Sequence, residues 1–101
     1  MVVAIFRSRV RPEHAEEYYR LADEMAAIAS AMPGFISWKG YEADDDERVS
    51  IHEWASAAEL AAWRNHPEHT KMQALGRERF YDEYTLYVCE SPRTSQFTRP
   101  L

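Results

Sequence analysis

Cysteine is almost absent from this 101-residue chain, because Cys89 is the only one. A single cysteine excludes an intrachain disulfide and any metal site built from several thiolates. The side chains around Cys89 alternate along the chain, which predicts a strand position. We therefore expect Cys89 to pack as a small hydrophobic side chain and not to act as a reactive thiol.

Long apolar runs and basic stretches are also missing. No segment is apolar enough to cross a bilayer, so a membrane is not an expected partner. The net charge is −5, and the densest charged cluster is the acidic run 42–47, which would repel a phosphate backbone. Nucleic acid is therefore not an expected partner. Arg7 and Arg9 follow the apolar residues 2–6, whereas a signal peptide carries its positive charge first, so we expect a cytoplasmic protein.

The helical segments are marked by spacing and by their end signals. Pro12 is expected to start the first helix and Pro33-Gly34 to end it. The Ser-Ala-Ala-Glu sequence at Ser56 has the spacing of a capping box, so a second helix should begin there. Pro67 is well placed to start a third helix that runs to about Phe80. Steps of three and four along the first helix predict one inner stripe, formed by Ala15, Tyr18, Ala22, Met25, Ala29 and Met32.

Alternating side chains predict four strands, at 2–10, 35–43, 48–54 and 82–90. The acidic turn 44–47 between two of them predicts an antiparallel hairpin. The resulting order, β-α-β-β-α-β, predicts an α+β ferredoxin-like fold with an antiparallel sheet. We assign residues 1–93 to this domain and 94–101 to a C-terminal tail, which the sequence permits to contact a dimer partner.

The predicted strands carry apolar side chains in both phases. We expect one phase to contain Val3, Ile5, Trp38, Trp54 and Tyr87, and the other Val2, Phe6, Val49, Leu86 and Val88. Helices can cover only one face of a sheet, so the second face would be a large apolar patch. Pairing with the sheet of an identical chain would cover it, and this predicts a homodimer.

Several short motifs occur in a fixed order along the chain: Pro33-Gly34-Phe35, Trp54-Ala55-Ser56, a tryptophan and two histidines at Trp63, His66 and His69, and Gly76-Arg77. Together they resemble the antibiotic-biosynthesis-monooxygenase domain family over roughly residues 2 to 93. The resemblance implies a homodimer whose two sheets form a dimeric α+β barrel, with a pocket between sheet and helices in each subunit. It also implies an oxygenase that uses no cofactor, and the chain has no Gly-rich dinucleotide fingerprint.

The resemblance directs attention to Trp63, which lines the pocket in oxygenating relatives of this type, although a core aromatic is the alternative. His69 is predicted on the inner side of the third helix, where it could act as an acid, a base or a hydrogen-bond donor. The alternative is a buried structural histidine. Arg77 and Tyr81 could stabilise a substrate anion, or could form a surface ion pair and ordinary packing. These four are the candidate catalytic residues, and the candidate substrate-binding residues are His66, Tyr84, Trp38, Met72 and Gln73.

Metal and haem chemistry are not favoured by the sequence. A zinc site at His66 and His69 would need His52 or Glu53 as a third ligand, and the spacing matches no metal motif. Relatives that degrade haem have an asparagine in the first strand and a histidine further along the third helix. The matching positions here are Ser8 and Gln73, so we expect neither a metal nor haem.

Three functions remain open. The chain could be a monooxygenase in which a phenol-, quinol- or anthrone-like substrate is deprotonated by His69 or a tyrosine and reacts directly with dioxygen. It could instead bind or sense a small hydrophobic molecule without catalysis. A third possibility is a structural dimer whose pocket is filled by its own side chains. The fold alone does not choose between them.

Overall fold

The four alternating segments form one antiparallel sheet in the computed structural model, which describes residues 1–101. The strands are β1 (Val2–Val10), β2 (Phe35–Glu42), β3 (Arg48–Trp54) and β4 (Tyr81–Glu90). Their spatial order is β2-β3-β1-β4, so β1 and β3 are the central strands. The predicted ferredoxin-like α+β fold is confirmed.

The first helix, α1 (Ala15–Ser30), begins three residues later than predicted. Pro12–His14 forms a 3₁₀ turn first. The predicted inner stripe is correct at Tyr18, Met25 and Ala29, all of which are buried. After the helix, Gly34 adopts a φ of 81°, a left-handed conformation that favours glycine, and the chain turns there into β2.

The second and third helices are α2 (Ala57–Arg64) and α3 (Pro67–Leu75). The capping box is formed, because Ser56 Oγ accepts a hydrogen bond from the Glu59 backbone N–H at 3.2 Å. The α-helical geometry of α3 ends at Leu75, five residues before the predicted end. Gly76–Phe80 continues as a π-helical turn, and β4 then begins at Tyr81, one residue earlier than predicted.

The two faces of the sheet differ from the prediction at three positions. Cross-strand pairing places Trp54 opposite Val2, and Trp38 opposite His52, on the face that the helices cover. Val49 pairs with Arg7 and lies on the other face. The predicted phases of Trp38, Trp54 and Val49 are therefore wrong. For Trp38 the cause is an irregularity between Phe35 and Ser37, which shifts the alternation of β2 by one residue. For Trp54 and Val49 the cause is the register of β3 against β1, which alternation within β3 does not specify.

The outer face of the sheet has no helix on it and still carries apolar side chains. Its half-buried members lie on three strands: Val3, Ile5, Val49, Ile51 and Cys89. The buried core is on the opposite side, between the sheet and the helices, and includes Trp54, Trp63 and Phe80. None of the helices has the length and apolar character needed to span a membrane.

Candidate functional site

The core between sheet and helices contains a cavity of about 420 Å³. This volume is in the range of small-molecule sites. Most of its lining is apolar or aromatic, and every layer of the fold contributes to it. The cavity opens towards β4, where Tyr84, Leu86 and Val88 line it and are 42–47% exposed. The interior is therefore not filled by its own side chains.

One wall of the cavity is a stacked pair formed by Trp63 of α2 and His69 of α3. Their ring centroids are 4.2 Å apart, and the planes are 13° from parallel. Gln73, one turn after His69, holds the pair together. Its Nε2 donates to the Arg64 carbonyl at 2.9 Å and lies 3.2 Å from His69 Nδ1. The amide thereby fixes the orientation of the imidazole against helix α2.

A second group of aromatic side chains lies on the cavity face of the sheet. Trp54 Nε1 donates a hydrogen bond to His52 Nδ1 at 2.8 Å, and Trp38 stacks on the His52 ring with a centroid distance of 4.4 Å. An indole N–H can only donate, so His52 Nδ1 must be the acceptor. The neutral imidazole therefore carries its proton on Nε2, and His52 lines the cavity as a hydrogen-bond donor.

Both cavity histidines are held in the neutral form. Burial, with a smaller contribution from the nearby His69, lowers the pKa of His52 to about 4. Burial also lowers the pKa of His69, although the carbonyl groups of Trp63 and Arg64 oppose this shift. At neutral pH both rings are therefore uncharged.

Two tyrosines form the polar part of the opposite wall. Tyr81 donates a hydrogen bond to the Tyr18 hydroxyl at 3.1 Å. Burial raises the pKa of both side chains above the usual tyrosine value. They stay protonated at neutral pH, so they can donate hydrogen bonds but cannot serve as bases. Nearby, Arg77 Nε donates to the Tyr84 hydroxyl at 3.2 Å.

The structure brings nearly all of the predicted site residues together. His66 is the exception, because it lies outside the cavity and its Nδ1 accepts a hydrogen bond from the Glu68 backbone N–H at the start of α3. The others all line the cavity: Trp38, Trp63, His69, Met72, Gln73, Arg77, Tyr81 and Tyr84.

Sequence reasoning missed five polar residues of the cavity: Arg48, Ser50, His52, Arg64 and Asp23. The first three occupy alternate positions of β3, and this spacing was the available signal. His52 was considered only as a zinc ligand. Glu53, the other candidate, lies on the opposite face of the sheet and accepts a hydrogen bond from Ser37, so it cannot join His52 around a metal.

Comparison with known proteins agrees with this architecture. The family model described as antibiotic biosynthesis monooxygenase matches residues 1–75 of the chain. An uncharacterised protein of Bacillus subtilis, YqjZ, is 28% identical over 94 residues, which cover 93% of this chain and 82% of YqjZ.

Solved structures share the fold at low sequence identity. Rv0793 from Mycobacterium tuberculosis superposes with a TM-score of 0.83 and 24% identity, covering 94% of this chain and 98% of that one. A variant of SnoaB, a cofactor-independent oxygenase from Streptomyces nogalater, gives a TM-score of 0.77 and 18% identity over 92% of this chain and 94% of SnoaB. At these identities the likeness concerns the fold.

Proposed function

Because the chain belongs to the antibiotic biosynthesis monooxygenase family, we propose that it is a cofactor-independent monooxygenase acting on a small aromatic substrate. The observation that carries the proposal is the stacked Trp63–His69 pair on the wall of a largely apolar cavity of about 420 Å³. Such a cavity suits a phenol-, quinol- or anthrone-like molecule, whose flat rings match the aromatic walls.

In the proposed reaction the substrate supplies the electrons. An anthrone-like methylene group loses a proton, and the resulting carbanion, stabilised as an oxyanion, transfers its electrons to dioxygen. One oxygen atom ends in the new carbonyl group and the other leaves as water with the two methylene hydrogens. The protein has to accept the first proton, stabilise the oxyanion and keep bulk water away.

The residues of the cavity suit these three tasks. Neutral His69 is the proposed base: its Nδ1, 3.2 Å from the Gln73 amide nitrogen, would take the proton when the substrate displaces that contact. The protonated hydroxyls of Tyr18 and Tyr81, which have raised pKa values, are proposed donors to the oxyanion. For Tyr81 this keeps the anion-stabilising part that the sequence hypothesis gave it, and it leaves out the alternative in which a tyrosine is the base. Trp63 and Trp38 would hold the rings of the substrate.

Oxygen consumption tests the proposal. We expect uptake above the spontaneous rate with at least one member of a panel of anthrones and quinols. His69→Ala should lower this rate by at least about 100-fold, as for loss of a general base. His66→Ala is the matched control, because His66 lies outside the cavity and should change the rate far less.

One result would contradict the part proposed for His69, and another would contradict the oxygenase itself. Equal losses of the oxygen-uptake rate in His69→Ala and His66→Ala would mean that His69 is not the base. Tight binding of the panel compounds without oxygen uptake above the spontaneous rate would instead identify a non-catalytic binding protein, which is the alternative that the sequence left open.

We also propose that the functional unit is a homodimer joined through the outer faces of the sheets. That face carries Ile5 and Ile51 side by side on the two central strands, and no helix covers them. A pair of sheets stacked on these residues would remove the apolar surface from water. Residues 94–101, with no regular structure, would be free to contact the partner.

Sedimentation velocity measures this assembly. The parent protein should sediment as a dimer, and Ile51→Glu should convert it to a folded monomer, because the substitution places a charge in the centre of the proposed interface. Ala27→Glu, on the exposed side of α1, is the control and should remain dimeric. A parent protein that is monomeric at all concentrations would contradict the proposal.

A further inference from the structure

The charges around the cavity are opposite in sign to the charge of the whole chain. The chain has a net charge of −5, yet the cavity is lined by Arg48, Arg64 and Arg77 against a single carboxylate, Asp23. None of these three arginines forms an ion pair. The arginines that do pair with carboxylates all lie outside the cavity lining: Arg7, Arg9, Arg11 and Arg79.

Arg48 is the most deeply placed of the three. Its side chain leaves β3 on the cavity face, and the guanidinium lies over the Tyr19 ring at 4.9 Å from the centroid. Its Nε is buried and has no hydrogen-bond partner. Glu42, the residue opposite Arg48 on β2, makes no ion pair with it. A buried guanidinium nitrogen without an acceptor is costly, so an acceptor from a bound molecule would be strongly favoured.

The neighbouring backbone makes room for this guanidinium. A Cβ atom on Gly40 of β2 would lie 2.9 Å from Arg48 Nη2, so any larger residue would push the arginine out of its place. The positive charge of Arg48 also lowers the pKa of Tyr18 and Tyr81, against the larger effect of burial, which raises it. Arg48 and the two hydroxyls therefore belong to one end of the cavity.

The unsatisfied groups elsewhere in the cavity are also donors. The Trp63 Nε1–H is buried and has no acceptor, and the neutral His52 carries its proton on Nε2. His52 and Arg48 are four residues apart on one strand, which corresponds to about 13 Å. A cavity with unpaired donors at both ends and aromatic walls between them suits an oxygen-bearing aromatic anion, which would supply the missing acceptors.

We propose that the cavity binds an aromatic carboxylate, with Arg48 forming the ion pair to the carboxylate group. The aromatic part would lie along Trp38 and Trp63, and the carboxylate would face the end formed by Arg48 and the tyrosine hydroxyls. A guanidinium can bind both carboxylate oxygens at once, which favours this anion. This inference names the substrate class of the proposed oxygenase. It rests on the proposed function only because both concern the same cavity.

Isothermal titration calorimetry with two ligands of equal shape tests this inference. The probes are 2-naphthoate, which is an anion at neutral pH, and 2-naphthamide, which is neutral. The parent protein should bind 2-naphthoate at least about tenfold more tightly, as expected for a hydrogen-bonded charge pair. Arg48→Gln should abolish this preference. Arg20→Gln, which removes the same charge from an exposed position on α1 outside the cavity, should keep it.

Three results would overturn the inference. They are an absence of saturable 2-naphthoate binding to the parent protein, equal affinities for the two probes, and a preference that survives in Arg48→Gln. If circular dichroism shows that Arg48→Gln does not fold, the comparison in the parent protein still decides the ligand class. Arg48→Lys then tests the residue. Lysine keeps the charge but cannot form the bidentate contact with both carboxylate oxygens, so the preference for 2-naphthoate should be weaker.

The oxygenase and the anion preference can fail separately. A clear preference for 2-naphthoate without oxygen uptake on any panel compound would support the carboxylate site and contradict the oxygenase. Oxygen uptake with neutral quinols, together with equal binding of the two naphthalene probes, would support the oxygenase and contradict the carboxylate site.

Discussion

Replacing Trp63 with alanine is expected to lower the free energy of unfolding by about 3–5 kcal/mol. Trp63 is 1% exposed and packs against Trp54, Trp38 and His69. The substitution removes the largest side chain that joins α2 to the sheet, and it merges the vacated volume with the existing cavity. Urea denaturation followed by far-UV circular dichroism measures the change.

The control for this prediction is the same kind of substitution at an aromatic side chain that is exposed and not part of the core. Phe97 is 78% exposed in the C-terminal tail, so Phe97→Ala should change the free energy of unfolding by no more than about 0.5 kcal/mol. Trp63→Phe should lose less than Trp63→Ala, because a ring still faces His69. A loss for Trp63→Ala as small as that for Phe97→Ala would mean that the stacked pair has no part in stability.

Acidification from pH 6.5 to pH 4 is expected to cost about 3 kcal/mol of stability through His52, at about 1.4 kcal/mol per unit of pKa difference. Burial lowers the pKa of His52 to about 4, against 6.5 for the exposed side chain. Between these values the unfolded chain binds a proton that the folded protein does not. Stability is therefore complete above about pH 6.5 and falls as the pH falls towards 4.

The pH dependence can be assigned to His52 by substitution. In His52→Gln the free energy of unfolding should fall less steeply between pH 6.5 and pH 4 than in the parent protein. His14→Gln removes a histidine from the 3₁₀ turn before α1, outside the cavity, and should keep the parent slope. A proton NMR titration that shows His52 ionising near pH 6.5 in the folded protein would contradict the prediction.

The predictions for Trp63 and His52 concern side chains that are in contact through Trp54. The Trp54 hydrogen bond sets the tautomer of His52, and Trp54 in turn stacks near Trp63 with a centroid distance of 6.4 Å. Protonating His52 would place a charge on an imidazole whose Nδ1 already accepts from a group that can only donate. Acid should therefore disturb the cavity wall as well as the overall stability.

The local sequence determined the helices and the strands of this protein. The three-and-four spacing of Tyr18, Met25 and Ala29 predicted the buried side of α1, and the Ser56 capping box predicted the start of α2. Both signals operate within one or two helical turns, so they do not depend on what the element packs against. The same holds for the alternation within β1 and β4. The order of these elements then predicted the fold.

Only the tertiary structure decided which side chains share the cavity. Alternation within one strand does not say how it aligns with its neighbour, and the irregularity after Phe35 reversed the predicted side of Trp38. For the same reason the sequence did not reveal that Arg48 and His52 of β3 face the cavity. Their roles depend on burial and on partners distant in the chain, such as Tyr19 and Trp38. These long-range contacts also lower the pKa of His52 and leave Arg48 Nε without a partner, and no local pattern encodes them.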